Sequence, residues 1–70
     1  MKIVVNDYEP KDIIRIIREW TELTQKEFAE NINRSRDSIQ KIETGKRGYN
    51  INTLLEIAKK YNLIITIEKK

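Results

Sequence analysis

The stretch from Thr24 to Gly45, TQKEFAENINRSRDSIQKIETG, leaves the chain little choice of local structure. Thr24 followed by Glu27 is a capping box: the hydroxyl accepts from an orphan first-turn amide, and the carboxylate accepts from the amide of the cap residue. Ser35 is a second N-cap. Between them, Asn33 suits a turn of positive φ without being glycine, and Gly45 is a left-handed stop. Phe28, Ala29 and Ile32, then Ile39 and Ile42, place apolar side chains on one face of each segment. The spacing predicts two short helices joined by a tight turn. The other face of the second helix carries Arg36, Asp37, Gln40 and Lys41, residue types that suit base edges and phosphates.

Seventy residues allow one small domain, spanning 1–70, near the lower limit for an independent core. A hydrophobic content of 39% beside 36% charged residues fits a soluble, mostly helical chain. There are no cysteines and no histidines, which removes disulfides, thiol catalysis, most zinc sites and imidazole acid–base chemistry. No metal and no cofactor is expected. No apolar run reaches the length of a membrane span, and Met1 to Val5 is too short for a signal peptide, so a cytoplasmic, nucleoid-associated protein without a membrane partner is expected. The net charge is +3, but its distribution is uneven. Residues 1–33 hold five basic and seven acidic groups, and residues 34–70 hold nine basic and four acidic groups. The positive field therefore lies on the half that contains the second helix, as a polyanion would require, although a solvated surface of uneven charge gives the same count.

Outside the central stretch, residues 1–6 are rich in β-branched side chains and read as a short strand. Pro10 suits the first position of a helix running to Thr21. Ile13, Ile14, Ile16, Ile17 and Trp20 form a broad apolar arc on it, read mainly as intramolecular core. Asn50 caps a further helix, Ile51 to Tyr61, whose residues Ile51, Leu54, Leu55, Ile57, Ala58 and Tyr61 are assigned to the core; Asn62 can end it in the left-handed region. Residues 63–68, LIITIE, alternate as a second strand. A lone strand leaves its amides unpaired, so the two terminal strands are expected to pair antiparallel within the chain, with a second subunit as the alternative partner.

The pattern resembles the helix-turn-helix domain of the phage repressor/Cro-type, XRE-like transcriptional regulators. The residues that carry it are Leu23-Thr24-Gln25, Phe28-Ala29-Glu30, Ser35-Arg36, Ile39, Ile42-Glu43-Thr44-Gly45, Thr53-Leu54-Leu55 and Ile57-Ala58. It departs from that family at Asn33 and Glu22, where glycine is usual, and at Arg34, where a small apolar residue is common. The resemblance implies a mainly α, four-helix, lambda-repressor-like domain, here flanked by the two short strands. It implies an ion pair between Arg18 and Glu43, and a phosphate-clamping role for Gln25 at a helix N-terminus. It also implies a recognition helix whose first residues, Ser35, Arg36, Asp37 and Ser38, lie nearest the base edges, with Gln40 and Lys41 one turn later.

In that setting Arg36 can grip guanine with two bonds, and Gln40 can pair with adenine or touch a phosphate. Asp37 can accept from a cytosine amine, or act as a first-turn acid that favours the helix dipole and holds Arg36 or Lys41. Lys46, Arg47 and Arg34 add sequence-independent attraction to phosphates. The expected function is a double-stranded DNA-binding regulator, a repressor acting by occupancy of a palindromic operator as a homodimer. The competing reading is an antitoxin-type module that binds a toxin protein and represses its own operon. An enzyme has no support in the residues present.

Overall fold

The computed structural model describes residues 2–70, and four helices succeed one another in it: α1 (Pro10–Thr21), α2 (Gln25–Asn31), α3 (Arg36–Glu43) and α4 (Ile51–Lys60), after a single 3₁₀ turn at Val5–Asp7. Each helix starts where local chemistry dictates. Pro10 occupies the first turn of α1. The Thr24 hydroxyl accepts from the Glu27 amide at 3.1 Å, and Glu27 Oε1 accepts from the Thr24 amide at 3.0 Å. Hydrogen bonding from the Thr24 amide, and then from the Thr24 side chain, holds the Glu27 carboxyl below its ordinary pKa. Ser35 Oγ caps α3 through the Ser38 amide at 3.1 Å, and Asn50 Oδ1 caps α4 through the Thr53 amide at 3.0 Å.

The turns use the left-handed region at Glu22 (φ 58°), Asn33 (φ 57°), Gly45 (φ 80°) and Asn62 (φ 56°). Three of these residues tolerate it; Glu22 does not, and it also sets a carboxylate at the negative end of α1. Glu22→Gly is therefore expected to stabilise the domain by about 1 kcal/mol, the relief of strain being partly offset by the freedom glycine adds to the unfolded chain. In calorimetry that is a rise of roughly 4–8 °C in Tm. Glu22→Ala, which keeps the strain, should give less than half of it; an equal gain would assign the effect to charge alone.

Each helix sends one large side chain to the centre: Ile14 from α1, Phe28 from α2, Ile39 from α3 and Ile57 from α4, all essentially without solvent contact. Ile13, Ile17, Ala29, Ile42 and Ala58 surround them. Leu23, Ile32, Leu54, Tyr61 and Leu63 pack against this cluster from its edge. Within the α1 arc, Ile13 is buried, Trp20 packs against the core and Ile16 is half-buried. The arc thus largely serves the interior.

Two expectations fail. In α4, Ile51 and Leu55 are 60% and 43% exposed, whereas Thr53 is buried. The inward arc runs through positions 53, 54, 57, 58 and 61; positions 51 and 55 lie four apart on one flank and turn outward with it.

The terminal strands are also absent, since no strand forms among the described residues. Met1, included in the first expected strand, lies outside them. The end of that span, Val5 and Asn6, lies in the 3₁₀ turn, in which the Asp7 and Tyr8 amides donate to the Val4 and Val5 carbonyls. Those two carbonyls are thereby taken from a ladder. At the other end, the Leu63 amide donates to the Ala58 carbonyl, and beyond it residues 64–70 make no backbone hydrogen bond among the described residues.

Candidate nucleic-acid interface

α3 is amphipathic in a way that fixes which side chains are offered outward. Ser38, Ile39 and Ile42 are buried. The spacing of 3.6 residues per turn then puts Arg36, Asp37, Gln40, Lys41 and Thr44 on the opposite side. Arg36 is exposed and has no hydrogen-bond or ion-pair partner among the described residues. One turn on, Lys41 Nζ lies 3.1 Å from Asp37 Oδ2, so these two charges face each other along the surface of the helix. Gln40 is half-buried between them and Thr44. The Thr44 hydroxyl donates to the Gln40 carbonyl at 2.9 Å. Thr44 is not among the expected contact residues, although its spacing of four from Gln40 places it on the same face.

The orientation of α3 is set from behind. Arg18 of α1 grips Glu43 at its far end with two bonds, Nε to Oε2 at 2.8 Å and Nη2 to Oε1 at 2.9 Å. The remaining Arg18 nitrogen, Nη1, donates to the Leu23 carbonyl at 3.1 Å. The pair is largely desolvated, with the Glu43 side chain 5% and the Arg18 side chain 19% exposed. Hydrogen bonding to Glu43 raises the Arg18 pKa above its ordinary value. Gln25, at the first position of α2, directs Nε2 toward Glu43 Oε1 at 3.4 Å. One fork thus ties α1, the start of α2 and the end of α3 together. Gln25 keeps its amide oxygen and the α2 N-terminus beside it.

The loop after α3 is folded back onto that helix. The Lys46 and Arg47 amides both donate to the Lys41 carbonyl, at 2.9 and 3.2 Å. This holds two cations against the negative end of α3. Lys46 is exposed and unpaired among the described residues. Further along, the Tyr49 hydroxyl donates to the Pro10 carbonyl and ties the loop to the start of α1. Burial pushes the Tyr49 pKa up.

Three residues assigned to the contact surface sit differently. Ser38 is buried, and its hydroxyl receives Arg47 Nη1 at 3.1 Å. It faces the interior side of α3, three positions after the cap, and holds Arg47 instead of reaching outward. Arg47, though exposed, is thereby anchored. Arg34 leans toward α4, with Nη2 3.3 Å from Thr53 Oγ1 and 3.6 Å from Glu56 Oε2. Its place in the turn brings it beside α4, a neighbour that the sequence order does not reveal. Ser35 remains exposed, and its oxygen is occupied by the cap bond while its own proton stays available.

The arrangement, taken whole, is a short helix with a polar outer face, braced by a buried ion pair and flanked at its C-terminal end by cations. No helix among the described residues is long and apolar enough to cross a membrane. A family model described as helix-turn-helix matches residues 14–64. No curated protein and no solved structure matches the chain. The matched span starts at the core residue Ile14, takes in the braced pair of helices and the loop cations, and ends just after α4. The chain belongs to the XRE-like helix-turn-helix family of DNA-binding transcription regulators.

Proposed function

We propose that this protein is a sequence-specific repressor that binds double-stranded DNA as a homodimer and acts by occupying a two-fold symmetric operator. The observation that carries the reading is the outward face of α3: Arg36 stands free and exposed at its N-terminal end, with the half-buried Gln40 and Lys41 one turn on, on the side away from the buried Ile39 and Ile42. A helix presented in this way enters the major groove with its first turn nearest the bases. Arg36 then reads a base edge with two donors, and Gln40 supplies a second polar contact. Asp37 keeps Lys41 from lying on the nearest phosphate without selection. Gln25 and the α2 N-terminus meet one phosphate, and Lys46 meets another. Arg47 and Arg34 fix the loop and the turn at the margins. One domain makes few base contacts, so useful specificity needs two copies on half-sites about 34–36 Å apart.

Selection of bound duplexes from a random pool tests this reading. The expected product is a palindromic motif with half-sites one helical turn apart. On the selected site, Arg36→Ala should lose roughly 1–3 kcal/mol and relax preference at one base step. Lys46→Ala should weaken specific and random duplexes alike and flatten the dependence of log Kd on log salt by about one unit. Equal losses for both variants on both kinds of DNA would overturn the division of roles. A pool that yields no motif would overturn sequence-specific binding.

A further inference from the structure

Two opposite charges stand together on the outward face of α3. Lys41 Nζ lies 3.1 Å from Asp37 Oδ2, and neither charged group has another partner among the described residues. The Asp37 side chain is largely exposed and that of Lys41 partly so. Asp37 belongs to the first turn of α3, the part of a groove-bound helix nearest the base edges. Lys41 starts one turn further back, but helical side chains lean toward the N-terminus, and the contact with Asp37 brings its ammonium to the level of the first turn. The tip of α3 therefore offers an acceptor and a donor side by side, one hydrogen-bond length apart.

A Watson–Crick pair offers the complement. At its major-groove edge the amine of one base and the carbonyl of the other are bonded to each other, about 2.9–3.0 Å apart. Two kinds of pair carry that couple, and the groups beside it decide between them. In a cytosine–guanine pair the cytosine amine meets the carboxylate, while guanine O6 and N7 both meet the ammonium. In an adenine–thymine pair the acceptor N7 of adenine lies beside the carboxylate, and the thymine methyl lies beside the ammonium. Turning either pair round sets the carboxylate against an acceptor and the ammonium against an amine. We infer that the Asp37–Lys41 ion pair reads one cytosine–guanine pair in each half-site as a unit, with Asp37 accepting from the cytosine amine and Lys41 donating to guanine O6 and N7. This rests on the operator reading above and names one base pair of the site. It also explains how a carboxylate enters the groove: its counter-charge travels with it, so the phosphates on either side meet a neutral couple. An exposed pair of this kind contributes little to folding, which leaves it free to be used for recognition.

Competitive binding to the duplex that the wild type selects from a random pool, and to single-pair variants of that duplex, tests the inference. One cytosine–guanine pair per half-site should be preferred over its reversed form by roughly 5- to 150-fold. Asp37→Ala should reduce that ratio to within about twofold and leave the other positions as they were; circular dichroism should show the helices unchanged, since the side chain lies outside the core. Lys41→Met should lower discrimination at the same position. N4-methylcytosine, whose methyl group occupies the free amine hydrogen, should weaken the wild type at that pair and make no difference to Asp37→Ala. A selected site in which Asp37→Ala alters no position, or alters an adenine–thymine position instead, would overturn the inference and leave the operator reading standing. So would equal binding of the wild type to methylated and plain duplexes, or a loss from Lys41→Met spread evenly over all sequences, as a phosphate contact gives. A pool that yields no motif removes the operator reading and this base pair with it.

Discussion

Arg18→Ala is expected to cost roughly 3–5 kcal/mol, the penalty for removing one partner of a desolvated ion pair. The Glu43 carboxylate, 5% exposed, would then keep only Gln25 Nε2, a long contact at 3.4 Å, as a side-chain donor. Small domains have about 0.05–0.15 kcal/mol of stability per residue, so the loss takes a large share of what a chain of 70 residues has. Urea unfolding monitored by circular dichroism measures it. Replacing both partners, Arg18→Met with Glu43→Leu, should recover most of the loss, since a well-packed apolar pair is often no worse than a buried ionic one. That double variant also separates stability from orientation. It should fold, yet bind DNA with reduced discrimination, because the two bonds that fix the end of α3 against α1 are gone. A cost below about 1 kcal/mol for Arg18→Ala would place the pair with ordinary surface ion pairs and leave the orientation of α3 to its apolar face alone.

Phe28→Ala is the second large effect, again roughly 3–5 kcal/mol, from lost transfer energy and the cavity left behind. Phe28 has no solvent contact and stacks on Tyr61, with ring centroids 5.6 Å apart and planes 9° from parallel. Tyr61 in turn lies within 3.4 Å of Asn31 Nδ2 through its hydroxyl. The stack therefore fastens α2 to the end of α4. Phe28→Leu keeps most of the volume and should lose only about 1 kcal/mol, the share of the aromatic pair. Tyr61→Leu should lose a similar amount, and the two losses should not add, since either one already breaks the stack. Full additivity in denaturant would mean that the rings are merely neighbours.

Both effects depend on contacts between distant parts of the chain, and this divides what was legible in the sequence from what was not. Thr24, Ser35 and Asn50 could be read as caps because a cap bonds an amide three residues away. Asn33, Gly45 and Asn62 could be read as left-handed stops because their conformational freedom is a property of single residues. The inward stripes of α2 and α3 were equally plain, since each has only a few apolar residues and they fall on one face. In α4 the apolar residues spread over a wide arc, and periodicity alone did not exclude Ile51 and Leu55 from the core; the neighbours of α4 decided that.

The recognition surface divides along the same line. Arg36, Asp37, Gln40 and Lys41 follow from helical phase and the burial of Ile39 and Ile42. The anchoring of Arg47 on Ser38 and the lean of Arg34 toward Thr53 and Glu56 depend on how the loop and the turn close over the helices. The ends of the chain are the clearest case. The alternation of residues 63–68 states a capacity to form a strand, but a strand exists only where another backbone meets it. Near the N-terminus the chain instead makes a 3₁₀ turn at Val5–Asp7, and no second strand meets residues 63–68 among the described residues. The sequence by itself determined where each helix begins and stops and which side of α3 is polar, because those outcomes depend on interactions within a few residues. Only the tertiary structure decided which flank of α4 is covered, which cations are held and that the terminal segments do not pair, because each needs groups far apart in the chain to arrive at one place.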